Sequence, residues 1–316
     1  MSNKTPAHQP STFDFHKRFP NEDAAREYLE SARWPTGIAC IRCGGLEVWK
    51  IKTRQVYTCK NCREQFTIRT GTIMEASKVP LCKWLYAMYL MTVSAKSISS
   101  VQLSKQLGVT QKSAWFMAHR IRESCHNAGG FLNGTVEADE TYIGGKERNK
   151  HLSKRLNAGR GAVGKSIVFG VKSRFGEVRA KVIQGTTKQH LQAAVEKEVA
   201  FGSQVYTDDH RGYLGLEGYR HKTVNHSSGE YVRKGVHTNG IESVWATIKR
   251  AHVGVFHYWS KKHLFRYIRE FSFKENMRGI PAFDTLAKCG INVIRAHVVG
   301  MEGRRLTYKN LIANAA

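Results

Sequence analysis

CIRCGGLEVWKIKTRQVYTCKNC, residues 40–62, holds two C-x-x-C pairs, Cys40/Cys43 and Cys59/Cys62, with fifteen residues between them. That spacing is the signature of a zinc ribbon, in which each pair forms a knuckle and the intervening residues form a hairpin. Four thiolates satisfy the tetrahedral preference of Zn²⁺ and leave no open position for water, so the expected metal is structural, not catalytic. A module this short depends on its metal, whose binding contributes roughly 10–16 kcal/mol in comparable peptides. A redox pair or two disulfides would need an oxidising compartment, which nothing else suggests, and Cys82, Cys125 and Cys289 are scattered single thiols.

Outward from the ribbon, the pattern divides the chain. Residues 1–35 read as a polar arm with one short helix at 22–31. Residues 36–75 form the ribbon, with strands at 47–51, 56–59 and 65–69 separated by the knuckles and by Gly44–Gly45. Residues 76–130 are helical, with Leu81, Trp84, Leu85, Met88 and Met91 at helical spacing. Within them, 99–107 and 111–122 form two amphipathic helices around the turn Gly108-Val109-Thr110, a helix-turn-helix pattern. Its second helix would lead with Gln111, Lys112 and Ser113 into a major groove.

Charge narrows the partner. Fifty Lys and Arg against 25 Asp and Glu give a net +25 over 316 residues, and the surplus persists to Arg304, Arg305 and Lys309. Such a field favours a polyanion, and nucleic acid is the reading in which counterion release rewards it. The longest apolar stretch, residues 84–93, falls far short of the ~20 residues of a spanning helix, so no membrane role is expected. The first 35 residues show no apolar run of a secretory signal.

Residues 131–280 change character. Stretches 135–143, 167–173, 178–184 and 203–207 read as strands, with 174–177 as a turn and helices at 187–199 and 238–251. The expected fold class is α+β/α/β and multidomain: a small ribbon, a helical region and a mixed sheet flanked by helices, with a basic tail at 281–316. GRGAVGKS, residues 159–166, satisfies the P-loop pattern, but polar, basic residues precede it and a strand-like run, 167–171, follows where a helix is required. Context therefore argues against ATP, and residues 146–165 read as a flexible basic loop suited to a phosphate backbone.

In a chain poor in acids, a carboxylate in or beside an apolar strand is informative, because its burial must be compensated. Asp139 lies in the strand run 135–143, Asp208 follows Val205-Tyr206-Thr207, and Glu242 sits in the first turns of HTNGIESVWATIKR, residues 237–250. Three such acids can converge on two Mg²⁺ or Mn²⁺ ions, hard cations suited to oxygen ligands, for phosphoryl transfer. Lys249, seven residues after Glu242, returns to nearly the same helix face. Plainer roles exist for each: Asp208 with Asp209 as a turn, Glu242 as a helix-dipole acid, Lys249 as a solvated base.

The chain resembles a bacterial insertion-sequence transposase of the DDE class, in the group with an N-terminal zinc ribbon. The resemblance covers roughly residues 20–280. It is carried by the ribbon from Cys59-Lys60-Asn61-Cys62 to Arg69-Thr70-Gly71-Thr72, VEADETYIGGK, YTDDHRGY, and HTNGIESVWATIKR followed by GVFHYWSKKHL. It implies a ribonuclease-H-like domain in which Asp139, Asp208 and Glu242 hold the catalytic metals and Lys249 is the associated base. Asp209 is the neighbouring alternative to Asp208. Asn239 is an alternative third ligand, and Glu137 and Glu140 are weaker substitutes for Asp139. The implied protein binds double-stranded DNA at terminal inverted repeats and at a target, works as a dimer or larger homo-oligomer, and resides in the cytoplasm at the nucleoid. Rival readings are an inactive or domesticated DNA-binding regulator, a ribonuclease-H-like junction nuclease, and a P-loop ATPase accessory protein.

His221, His226, His237, His252, His257 and His263 are dense, but no pair has the spacing of a strong metal motif, so packing, hydrogen bonding or DNA contact is expected, with His237 nearest the active centre. Trp245 and the cluster Phe256, Tyr258 and Trp259 are expected in the core.

Overall fold

The computed structural model describes residues 9–125, 129–156, 163–225 and 232–278, apart from 146, 175 and 234, together with 280 and 297. The chain forms two compact units, Met1–His126 with Met277–Ala316, and Asn127–Asn276. His226, Cys289, most of the basic tail and residues 159–162 of the P-loop-like stretch lie outside the described residues.

The first unit opens with α1 (Thr12–Arg18) and α2 (Glu22–Arg33), where a polar arm with one helix was expected. Two features the composition conceals explain the difference. Ser11 and Asp14 form a reciprocal capping box that starts α1, and Phe15, Phe19, Tyr28 and Leu29 are buried in the same core as the later helices. The ribbon follows as three antiparallel strands, β1 (Val48–Ile51), β2 (Val56–Cys59) and β3 (Gln65–Phe66), in the order β1-β2-β3. Its last strand is shorter than the expected 65–69. Thr67 N–H bonds the Thr70 hydroxyl at 3.0 Å, which turns the backbone out of the sheet.

Three helices complete the unit: α3 (Leu81–Val93), α4 (Ser100–Leu107) and α5 (Gln111–Glu123). The apolar spacing read from sequence is their buried face, with Trp84, Leu85, Met88, Leu103 and Met117 essentially inaccessible. Full burial of side chains of this size stabilises by about 1.5–3 kcal/mol each. Pro80 cannot cap α3 with a side chain, and Glu22 takes that role from α2, accepting from Leu81 N at 2.8 Å and Cys82 N at 3.2 Å.

The second unit is a mixed five-stranded sheet flanked by helices. Its strands are β4 (Thr135–Ile143), β5 (Ser166–Ser173), β6 (Val178–Ile183), β7 (Gln204–Asp208) and β8 (Arg220–Val224), in the order β6-β5-β4-β7-β8. The pairs β4/β5 and β5/β6 are antiparallel, while β4/β7 and β7/β8 are parallel. Helix α6 (Lys188–Glu196) packs with Val136, Ala138, Phe169 and Val171 on one face. Helices α7 (Asn239–Ala251) and α8 (Leu264–Asn276) pack with Ile143, Val168 and Val178 on the other.

Strand β8 and helix α8 were not read from sequence. RHKTV in β8 carries the charge that an edge strand tolerates and a buried-strand pattern lacks. The expected helix 187–199 stops at Glu196, because Val199 is drawn into a bridge with Leu132. Strand β5 follows directly on Lys165, so the P-loop-like residues lead into a strand and not a helix. Trp245 and Trp259 are buried as expected, but Tyr258 is exposed, set outward by the tight turn in which its N–H bonds Phe256 O. No helix among the described residues is long and apolar enough to cross a membrane.

Candidate functional site

The ribbon brings its four thiols together. The Sγ atoms of Cys40, Cys43, Cys59 and Cys62 all lie within 4.8 Å of one another, with Cys40–Cys62 at 3.5 Å and Cys43–Cys59 at 3.6 Å. A tetrahedron of Zn–S bonds near 2.3 Å sets sulfurs about 3.8 Å apart, so the donor set fits zinc in number, chemistry and spacing. The four thiols act on one another: the backbone N–H of Cys62 leads in drawing the Cys59 thiol down, while the neighbouring thiols push Cys62 up. Around this cluster the apolar packing is small, centred on Tyr57 and Phe66. It is the only such group of His, Cys, Asp or Glu among the described residues, so neither the histidines nor Asp139, Asp208 and Glu242 build a second one as close there. His221 instead pairs with the Thr207 hydroxyl at 2.9 Å, and His252 packs edge-on against Trp259.

The acids assemble through the sheet. Strand alternation sends Val136, Ala138 and Glu140 to the α6 face and Glu137 and Asp139 to the α7 face. Asp208 is the last residue of β7, the strand end at which it was expected. The parallel register pairs Glu137 with Tyr206, so two residues further on Asp139 comes level with Asp208. Their charges meet. Burial first, then the carboxylates of Glu140 and Asp208, push Asp139 up to about 7. Burial likewise raises Glu140, whose Oε2 accepts from the Tyr213 hydroxyl at 2.7 Å. Asp208 Oδ1 accepts from His210 N–H at 3.1 Å.

Glu242 and Asn239 lie in the first turn of α7 and Lys249 in its last. The Thr238 hydroxyl donates to Glu242 Oε1 at 2.8 Å, while Asn239 and Lys249 are exposed. Asp139 and Asp208 are thus joined by their fields. Helix α7 is tied to the first of them by Trp245, whose Nε1–H donates to Asp139 Oδ2 at 2.9 Å.

Two residues acquire roles that the sequence reading did not give them. Trp245 was assigned to the core, and its ring is buried, but its one polar atom addresses Asp139. Glu137 was held as a substitute for Asp139, yet its carboxylate is engaged elsewhere. It accepts from Ile241 N at 3.0 Å and lies 3.2 Å from Arg174 Nε. His237 Nδ1 approaches it to 3.3 Å without hydrogen-bond alignment. The one signal available in the sequence was period: residues 137 and 139 share a strand face, and 241 and 245 share a helix face.

Residues 131–276 match the ISXO2-like transposase domain, and residues 20–65 match the transposase zinc-ribbon domain. An uncharacterized protein in the transposable element ISH50 of Halobacterium salinarum is 30% identical over 288 residues, 85% of this chain and 96% of its own. A simian T-cell lymphotropic virus intasome, solved in complex with PP2A regulatory subunit B56 gamma, aligns over 71% of this chain and 74% of its own. At 14% identity and a TM-score of 0.30, that last likeness carries no argument.

Proposed function

The chain belongs to the ISXO2-like family of insertion-sequence transposases with an N-terminal zinc ribbon, and from that premise we propose that it cleaves DNA at the ends of its element and joins them to a target. The observation that carries this reading is the meeting of Asp139 and Asp208 on the neighbouring parallel strands β4 and β7, where the Asp208 carboxylate adds to the cost of ionising buried Asp139. Crowded carboxylates of this kind are a donor set for hard divalent cations. The strand order β6-β5-β4-β7-β8, with two antiparallel pairings followed by two parallel ones, supports a ribonuclease-H-like domain.

In this reading Asp139, Asp208 and Glu242 hold Mg²⁺ or Mn²⁺, with Asn239 the alternative third ligand. When bound, a metal pair polarises the phosphoryl oxygen and stabilises the departing 3′ oxygen. The residues' own contributions are positional. Trp245 fixes one oxygen of Asp139, Thr238 orients Glu242, and exposed Lys249 offers a cation to a backbone phosphate. The ribbon and the helix pair α4–α5 take the terminal inverted repeats in double-stranded form, with exposed Gln111 and Lys112 at the leading end of α5. Two ends must be held together, so a dimer or larger homo-oligomer does the work.

The test is cleavage of a labelled element end with Mg²⁺ by wild type, Asp139→Ala, Asp208→Ala and Glu242→Ala, each first shown to bind by gel shift. Loss of nicking with retained binding supports the three acids. Nicking that persists in Glu242→Ala moves the third role to Asn239, and absence of nicking by wild type with any divalent ion favours a DNA-binding regulator.

A further inference from the structure

Helix α7 lacks an ordinary start. Thr238 at its N-cap makes no capping hydrogen bond, its hydroxyl being turned to Glu242. The acceptor comes instead from β4: Glu137, buried to 2% exposure, takes the Ile241 N–H. One turn further along α7, Trp245 returns a bond in the other direction, donating to Asp139. The two contacts match in spacing. Residues 137 and 139 are about 6.7 Å apart along a strand, and residues 241 and 245 are about 6 Å apart along a helix.

Both contacts need room, and a glycine supplies it each time. Gly240 lies against Glu137, where an added Cβ would meet Oε2 at 2.5 Å. Gly170 sits directly across from Asp139 in the β4/β5 register, where a Cβ would meet the Trp245 ring at 2.5 Å. Each peg is therefore seated in a socket that a larger residue would close. The same device starts α3 in the other unit, where Glu22 replaces a missing cap, but there only one contact point is used. A single cap fixes where a helix begins. Two pegs one turn apart also fix its rotation.

We propose that Glu137 and Trp245 are positioning residues that lock the axial and rotational register of α7 on β4, so that Glu242 is presented to Asp139 and Asp208 while Trp245 holds one Asp139 oxygen and leaves the other to a cation. This rests on the reading of those acids as the metal site. Both residues act through the groups they bond, the Ile241 N–H and the Asp139 carboxylate. Their effect is on how well the acids are held, which second-shell partners of metal ligands typically change by about 10–100-fold in affinity or activity.

The experiment uses the full chain and Mn²⁺ alone as probe, titrated by electron paramagnetic resonance, beside steady-state cleavage and thermal melting. Trp245→Phe keeps an aromatic ring, though a smaller one, and removes the donor. It should weaken Mn²⁺ about tenfold or more and lower kcat with little change in KM for DNA, while the smaller ring lowers Tm, so the loss is compared with Glu137→Gln and Gly170→Ala. Glu137→Gln, which retains an acceptor for Ile241 N, should keep more of both than Glu137→Met. In ¹⁵N-tryptophan-labelled protein, the indole resonance that Trp245→Phe removes should shift in Asp139→Ala. If Trp245→Phe does not fold, Gly170→Ala presses on the same bond from β5 and should reproduce the loss. Wild-type Mn²⁺ affinity and kcat in Trp245→Phe, with both lost in Asp139→Ala, overturns the lock and leaves the metal reading standing. Wild-type behaviour in Asp139→Ala instead overturns the metal reading, on which the lock depends, whatever Trp245→Phe does.

Discussion

The four thiols and the acids of the second unit are gathered by different means. The thiols span residues 40–62 and are brought together by a hairpin whose turns are written into the C-x-x-C pairs. Asp139 and Asp208 are separated by 69 residues and come level only because β4 and β7 are neighbours in the sheet, while Glu242, 34 residues further on, lies on α7, which Trp245 ties to Asp139. The ribbon has little packing of its own around Tyr57 and Phe66, so the ligands sustain the fold. In the second unit the relation is reversed. Extensive cores on both sheet faces sustain the fold, and the acids are a cost it carries.

That contrast predicts opposite responses to removing a ligand. The largest effect belongs to the ribbon: Cys59→Ser, or a strong chelator, should abolish zinc retention and unfold residues 36–66. Most of the roughly 10–16 kcal/mol of metal binding energy would be lost. Elemental analysis and limited proteolysis would read it, and a ribbon that resists cleavage without zinc would erase the contrast.

Next comes Asp139→Asn, which should abolish cleavage yet raise the melting temperature above that of wild type at pH 8 when no divalent ion is added. The expected gain is a few degrees, since removing a poorly compensated charge stabilises the fold. A lower melting temperature would mean that the Trp245 bond outweighs the charge.

The same group gives a pH dependence. Asp139 holds its proton up to about 7 in the folded chain against an ordinary 3.8, so the folded state binds more protons between those values. Stability should therefore fall as pH rises from about 4 through 7. Melting curves with a chelator of divalent ions should show this slope, and Asp139→Asn should flatten it. Mg²⁺ should raise the melting temperature more at pH 8 than at pH 5.5.

The smallest stability effect is expected at Lys249→Ala. The side chain is exposed, so stability should move by no more than about 0.5 kcal/mol, while cleavage falls through loss of a phosphate contact. Unchanged cleavage in the stable variant would remove Lys249 from the site.

Local chemistry was legible in the chain itself. The C-x-x-C spacing specified the thiol cluster, and strand period and helix period located β4 and α7 to within a residue, because both depend on neighbours in sequence. The early aromatic residues deceived, since a helix as short as α1 owes its existence to a core built by residues far along the chain. Strand β8 was invisible for a similar reason: pairing with β7, not its own apolar content, makes it a strand. What only tertiary structure decided is which acids face one another and what holds them. Glu137, Asp139 and Glu140 are adjacent carboxylates of similar chemistry, and the pleat sends them to a helix cap, a shared acid site and a tyrosine hydroxyl. Strand period gives the direction of each Cβ, but the element packed against it, on which their separate tasks depend, is encoded by no spacing in the chain.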